Sequence, residues 1–262
     1  LWIKAEPNPI QSGVPALSPF DWFLAALAAL IVGASKTGLP GGVTLAVALF
    51  AQLFPAREST GALLPVLICA DVLAVSLLRK PPNWRLLLHI FPWTALGVLL
   101  GWGLLSRIDN AQLRLIIGGL IVSMTLYQLA RRFQGSSSPP PSGSSRVFTA
   151  SMGTAAGITT MIANAAGPFM TFYLLAMRMG KLEFVVVNAW FFLVINSFKV
   201  PFAANLGLIT WDSLRFDLLL APLVLAGALL GRWMLRRIRQ RVFELVVLLL
   251  ALVGGLRLLM PA

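Results

Sequence analysis

Six stretches of nearly continuous apolar sequence, at about 60–78, 86–106, 111–130, 184–204, 214–235 and 242–260, each approach the roughly twenty residues that a membrane-spanning helix needs. They are rich in Leu, Ala and Val and lack the period-two alternation of a membrane β-barrel. With 58% of its residues hydrophobic and only 11% charged, the chain lies outside the range of soluble globular domains. It therefore reads as an all-α integral membrane protein that crosses the bilayer several times.

The net charge of +12 would point to nucleic acid in a soluble protein. Here Lys and Arg fall in short connections between apolar runs, as the positive-inside rule expects, so no nucleic-acid partner is expected. The single cysteine, Cys69, lies inside an apolar run and has no partner for an intrachain disulfide, so it reads as buried filler. Residues 1–19 form a proline-rich lead-in without the basic start of a cleavable signal peptide.

Two polar, glycine-containing stretches interrupt apolar sequence in a matching way: GASKTGLPGG at 33–42 and GITTMIANAAGP at 157–168. Ser18 and Asp21 are placed to cap a first helix, expected from about Phe20 to Val32 and stopping at Gly33. That is short for a span, as is the following Val43–Phe54, so the pair reads as a re-entrant or discontinuous unit meeting inside the membrane. Backbone that is not helical at that depth is tolerated where it lines a cavity or packs on protein. Helices restarting near Gly42 and Pro168 would aim free N–H groups and positive dipole ends into that cavity, a setting that favours anions.

The Ser/Pro/Gly linker at 133–145 separates a first transmembrane repeat, 20–132, from a second, 146–262. Gly42 matches Gly167, Glu58 matches Glu183, Asp71 matches Asn196 and Trp84 matches Trp211; Pro92, Gly97 and Gly101 match Pro222, Gly227 and Gly231. Pro92 predicts a kink, and the spacing of Gly97 and Gly101, with Gly103 beyond, suits close helix packing. The basic connections at 79–85, 131–146, 178–183 and 232–241 share one side if each broken pair returns to the face it entered; those at 106–114 and 205–217 then lie on the other. The halves are then inverted-topology repeats, each a broken or re-entrant helix pair plus three transmembrane helices, with both termini extracytoplasmic.

Charges within the apolar segments are Lys36, Asp71 and Lys199, accompanied by Asn164, Asn188 and Asn196. Asp71 reads as the lone intramembrane carboxylate. Two positive charges against one negative, beside two helix starts, suit a small anion. Candidate contacts are Ser35, Lys36, Thr37, Gly38, Gly41 and Gly42 from the first break, Thr160, Asn164 and Gly167 from the second, and Asn188, Asn196 and Lys199 beyond it; Thr159 adds a hydroxyl. Asp71 is also placed to couple transport to protons. Plainer readings stay open: Lys36 pairing with Asp71 as a structural bridge, Lys199 snorkelling from a helix end, and the asparagines joining helices. His89, Tyr127, Tyr173 and most tryptophans read as interfacial or packing residues. No metal-binding or hydrolase motif occurs, and GLPGGVT lacks the Gly-Lys-Ser/Thr ending of a phosphate-binding loop, so no enzyme, cofactor or metal is expected.

The glycine-rich break after the first helix, the second break ending in Gly-Pro and the paired P-x4-G-x3-G patterns together resemble the sulfite exporter TauE/SafE family, also called the toluene sulfonate uptake permease family, over about residues 20–260. TMIANAAGPFMTFYLLAMR and AWFFLVINSFKVPF are similar to one branch of it. The resemblance implies secondary transport of sulfite, sulfoacetate or other organosulfonates across a bacterial inner membrane, in either direction. In this chain ANAAGP stands where the commoner pattern has a run of glycines, and Lys36 is an addition to the first break. The expected mechanism is alternating access around a mid-membrane site, with protons as a coupling ion and a homo-oligomer as open partner questions. An anion channel, a cation or amino-acid carrier and a scaffold without flux are the competing classes.

Overall fold

The structure, a computed structural model, describes residues 18–38, 42–54, 56–104 and 145–259, with isolated positions between 119 and 130. Gly41, most of the apolar run at 111–130 and nearly all of the linker and lead-in lie outside the described residues.

The regular elements among the described residues are all helices: α1 (Pro19–Thr37), α2 (Val43–Leu53), α3 (Ala56–Leu78), α4 (Trp84–Leu104), α5 (Arg146–Ala163), α6 (Gly167–Ala176), α7 (Lys181–Asn205), α8 (Trp211–Arg237) and α9 (Gln240–Leu259). By length and composition α1, α4, α7, α8 and the Ser59–Leu78 part of α3 suffice to cross a membrane. Two helices open with a reciprocal cap. The Ser18 hydroxyl accepts from Asp21 N while the Asp21 carboxylate accepts from Ser18 N, and Thr210 and Ser213 do the same ahead of α8.

Both breaks are shorter than the sequence pattern implies. α1 continues past Val32 to Thr37, which makes it long enough to cross, with α2 starting at Val43, and α5 runs through Gly157 to Ala163, leaving only 164–166 before α6. The reason is packing. Gly33 lies against the backbone of Val224 and Ala228 on α8, and Gly157 lies against Thr94 and Val98 on α4. A glycine flanked by helix formers stays helical when close approach of a second backbone compensates for its flexibility.

A second correction concerns 205–217, read as a connection. Residues from Trp211 are helical, so Asp217 sits inside α8 and is buried. Asp71 is therefore not the lone carboxylate within an apolar helix.

α8 packs on α1, and α4 packs on α5. Gly227 meets Leu30 and Gly231 meets Ala34 on α1, while Gly97 meets Thr154 and Gly101 meets Ile158 on α5. These contacts repeat with one constant offset for α1 against α5 and another for α4 against α8. One apolar core accordingly joins α1, α2 and α3 to Phe216, Leu220 and Val224 of α8. The other joins α5, α6 and α7 to Leu87, Ile90 and Val98 of α4. α3 and α7 run antiparallel between them: Gly61 meets Leu208, just past the end of α7, whereas Asp71 meets Asn196 near its middle.

Candidate functional site

The two breaks and the middles of α3 and α7 converge on one polar cluster. Asn164 shows how local sequence builds it. This residue ends α5 in the left-handed conformation, φ 50°, which asparagine tolerates better than most side chains. Its N–H and that of Ala165 bond to the Thr160 and Thr159 carbonyls. The turn leaves the Asn164 amide free to work in two directions: Nδ2 donates to Thr60 O of α3 at 2.9 Å, and Oδ1 accepts from Lys199 Nζ of α7 at 2.6 Å. Thr60 Oγ1 returns a bond to Ile162 O, so the end of α5 is tied to the start of α3.

The two buried lysines are held differently. Lys36 Nζ lies 2.7 Å from Asp71 Oδ1 and 3.9 Å from the centre of the Phe192 ring, a carboxylate on one side and a π face on the other. The second Asp71 oxygen accepts from Asn196 Nδ2 at 2.7 Å. Lys199 has neutral partners: besides Asn164, it donates to Thr160 O at 2.8 Å and to Thr160 Oγ1 at 3.1 Å. Lys36 and Asp71 form an ion pair, whereas the partners of Lys199 among the described residues are a carbonyl, a hydroxyl and an amide. Lys199 is 1% exposed, so it does not snorkel to an interface.

Beside this cluster is a small cavity of about 20 Å³, room for a water molecule. Of the residues singled out in the sequence, Ser35, Lys36, Thr160, Asn164, Gly167, Asn188 and Asn196 line it. Lys199 is not on the wall but stands behind Thr160 and Asn164, and Asp71 stands behind Lys36 and Asn196. Thr37 and Gly38 face elsewhere. The Thr37 hydroxyl donates to Ala228 O of α8 at 2.6 Å, and Gly38 packs on Gly231. Gly42 packs on the Ser35 side chain, the Thr159 hydroxyl returns to Ala155 O and Ala156 O in its own helix, and Gly41 lies outside the described residues.

Four lining residues were not singled out: Val43, Thr44, Leu67 and Phe192. A spacing signal existed for Phe192, which lies midway between Asn188 and Asn196, so the three form one stripe of α7. Thr44 belongs to the first turn of α2. Neither α2 nor α6 has a side-chain cap at its N-terminus, Gly42 and Ala166 being the capping residues, so the first-turn N–H groups at both breaks lack side-chain acceptors from the cap.

The cavity wall carries hydroxyl, amide and lysine side chains. Among the described residues no group of His, Cys, Asp and Glu is placed to hold a metal ion. Comparison with curated proteins and with solved structures yielded no match. The family model described as sulfite exporter TauE/SafE matches residues 23–258, which takes in both breaks, both buried lysines and every described helix but for the ends of α1 and α9. This multi-pass membrane chain belongs to the sulfite exporter TauE/SafE family.

Proposed function

We propose that the protein is a secondary transporter of a small sulfur-containing anion, sulfite or an organosulfonate, working by alternating access between two inverted halves in a bacterial inner membrane. The family described as sulfite exporters supports the substrate class. One observation carries the site assignment: Lys199 is buried with no carboxylate partner among the described residues and hydrogen-bonds to Thr160 and Asn164, both on the cavity wall. A buried charge without a counter-ion is costly, and a bound monoanion would neutralise it. The start of α2, with Thr44 in its first turn, and that of α6 add partial positive charge at the same place.

The inverted relation is supported by the antiparallel course of α3 and α7 and by the repeated α1–α8 and α4–α5 contacts. Alternating access is favoured over a standing pore by the size of the cavity. About 20 Å³ takes a water but no sulfur oxyanion, so the halves must part to admit one. The extracytoplasmic placement of both termini rests on the distribution of basic connections.

The test is a thermal-shift screen of purified protein against sulfite, sulfate, thiosulfate, sulfonates and carboxylates, followed by uptake and counterflow of hits in liposomes. Saturable flux with counterflow is expected. Non-saturating currents would make it a channel, and an absence of any flux would remove the transport reading.

A further inference from the structure

Asp217 lies outside the cavity and outside every pairing described so far. It sits six residues past Trp211 on α8, about 9 Å along the helix from that exposed indole. It is 7% exposed, and neither carboxylate oxygen has a hydrogen-bond partner among the described residues. Its neighbours Phe216 and Leu220 pack into the apolar core with Ala25 of α1, Phe50 of α2 and Val66 of α3.

No described cation faces it. On α1, Asp21 is engaged with Ser18 at the exposed end and Lys36 with Asp71. α2 carries no ionisable side chain between Val43 and Leu53. On α3, Cys69 is within electrostatic reach of Asp217, and Asp71 is taken by Lys36 and Asn196. On α8 itself, Arg215 and Asp212 pair with each other at the surface, 3.7 Å apart. An ionised carboxylate here would lose its hydration and gain no counter-charge or donor in exchange. Uptake of one proton, forming a single O–H bond at either carboxylate oxygen, removes that charge.

The position also matters. Asp217 shares the α8 face with Val224, which packs on Gly33 of α1, and α8 also packs on α3, the helix that carries Asp71. Movement of one half past the other would have to open this seam and wet it. We propose that Asp217 is a proton-binding site of the transport cycle, protonated while the α1–α3–α8 seam is closed and releasing its proton when the seam opens. The coupling half of this statement rests on the transporter reading above.

The test compares wild type with Asp217→Asn, and with Asp217→Leu should the amide variant fold poorly, in liposomes with radiolabelled sulfite. Both variants should retain sulfite counterflow at equal pH and lose accumulation driven by a pH gradient. Infrared difference spectra of the purified proteins, titrated with pH, should show a protonated-carboxyl carbonyl band in wild type that the variants lack. Gradient-driven accumulation that survives in the variants, or a wild type that exchanges sulfite but never responds to the gradient, overturns the coupling. An infrared band unchanged in the variants overturns the proton site itself. If no protein exchanges sulfite, the transport reading fails, and the infrared band alone decides whether Asp217 binds a proton.

Discussion

Asp71 of α3 and Asn196 of α7, 125 residues apart, are hydrogen-bonded to each other, Asn196 Nδ2 donating to Asp71 Oδ2 at 2.7 Å. The amide at this position has a chemical consequence. A second aspartate in place of Asn196 would set two carboxylates side by side, whereas an amide supplies the donor that the carboxylate needs. α1 and α3 thus contribute the charge pair, Lys36 with Asp71, and α7 contributes the neutral donor Asn196 and Lys199, which bonds to neutral partners.

Removing one member of the buried pair should be far worse than removing both. Asp71→Ala leaves Lys36 with only the Phe192 ring and should cost about 3–5 kcal/mol. The double variant Lys36→Met, Asp71→Leu should recover most of that loss. Thermal melting followed by tryptophan fluorescence in detergent checks the order; a double variant no more stable than Asp71→Ala would contradict it.

Lys199 should govern anion affinity through charge rather than shape. Lys199→Gln is expected to weaken sulfite binding by about tenfold or more, equivalent to ~1.4 kcal/mol. Lys199→Arg should retain a larger share of the affinity, since it keeps the charge. Isothermal titration of the purified variants is the measurement, and equal affinity in wild type and Lys199→Gln would return Lys199 to a purely structural role.

Asn164 joins three elements, so its variants should separate backbone from side-chain effects. Asn164→Gly keeps the left-handed turn but frees Lys199 and Thr60 O of their partner. Asn164→Ala loses both and adds strain at φ 50°. The alanine variant should therefore melt below the glycine variant by about 1 kcal/mol equivalent. Sulfite binding should fall in both, as seen by thermal shift.

The interhelical glycines should be intolerant in matched pairs. Gly33→Val and Gly157→Val each drive a side chain into the backbone of the other half's fourth helix, and both should abolish monodisperse expression. Gly103, with open space where a side chain would go, is the control: Gly103→Ala should be neutral or stabilise α4 by up to about 1 kcal/mol. Size-exclusion profiles of the solubilised proteins distinguish these outcomes.

The membrane class, the family likeness, the two polar breaks and seven of the eleven cavity-lining residues were legible in the sequence, whereas Val43, Thr44, Leu67 and Phe192 were not singled out there. Continuous apolar runs admit few other solutions, and a charge within them stands out because hydrocarbon makes it costly. Only the tertiary structure decided how these residues are used. Gly33 and Gly157 look like helix breakers in one dimension, but each faces a neighbouring backbone and stays helical. Thr37 looks like a cavity hydroxyl, but its bond goes to α8. Whether Lys36 or Lys199 keeps an uncompensated charge depended on which lysine reached Asp71 first, a matter of distance across packed helices that local pattern does not encode. Asp217 was hidden for the same reason, because burial is a property of what packs against a residue and not of its neighbours in the chain.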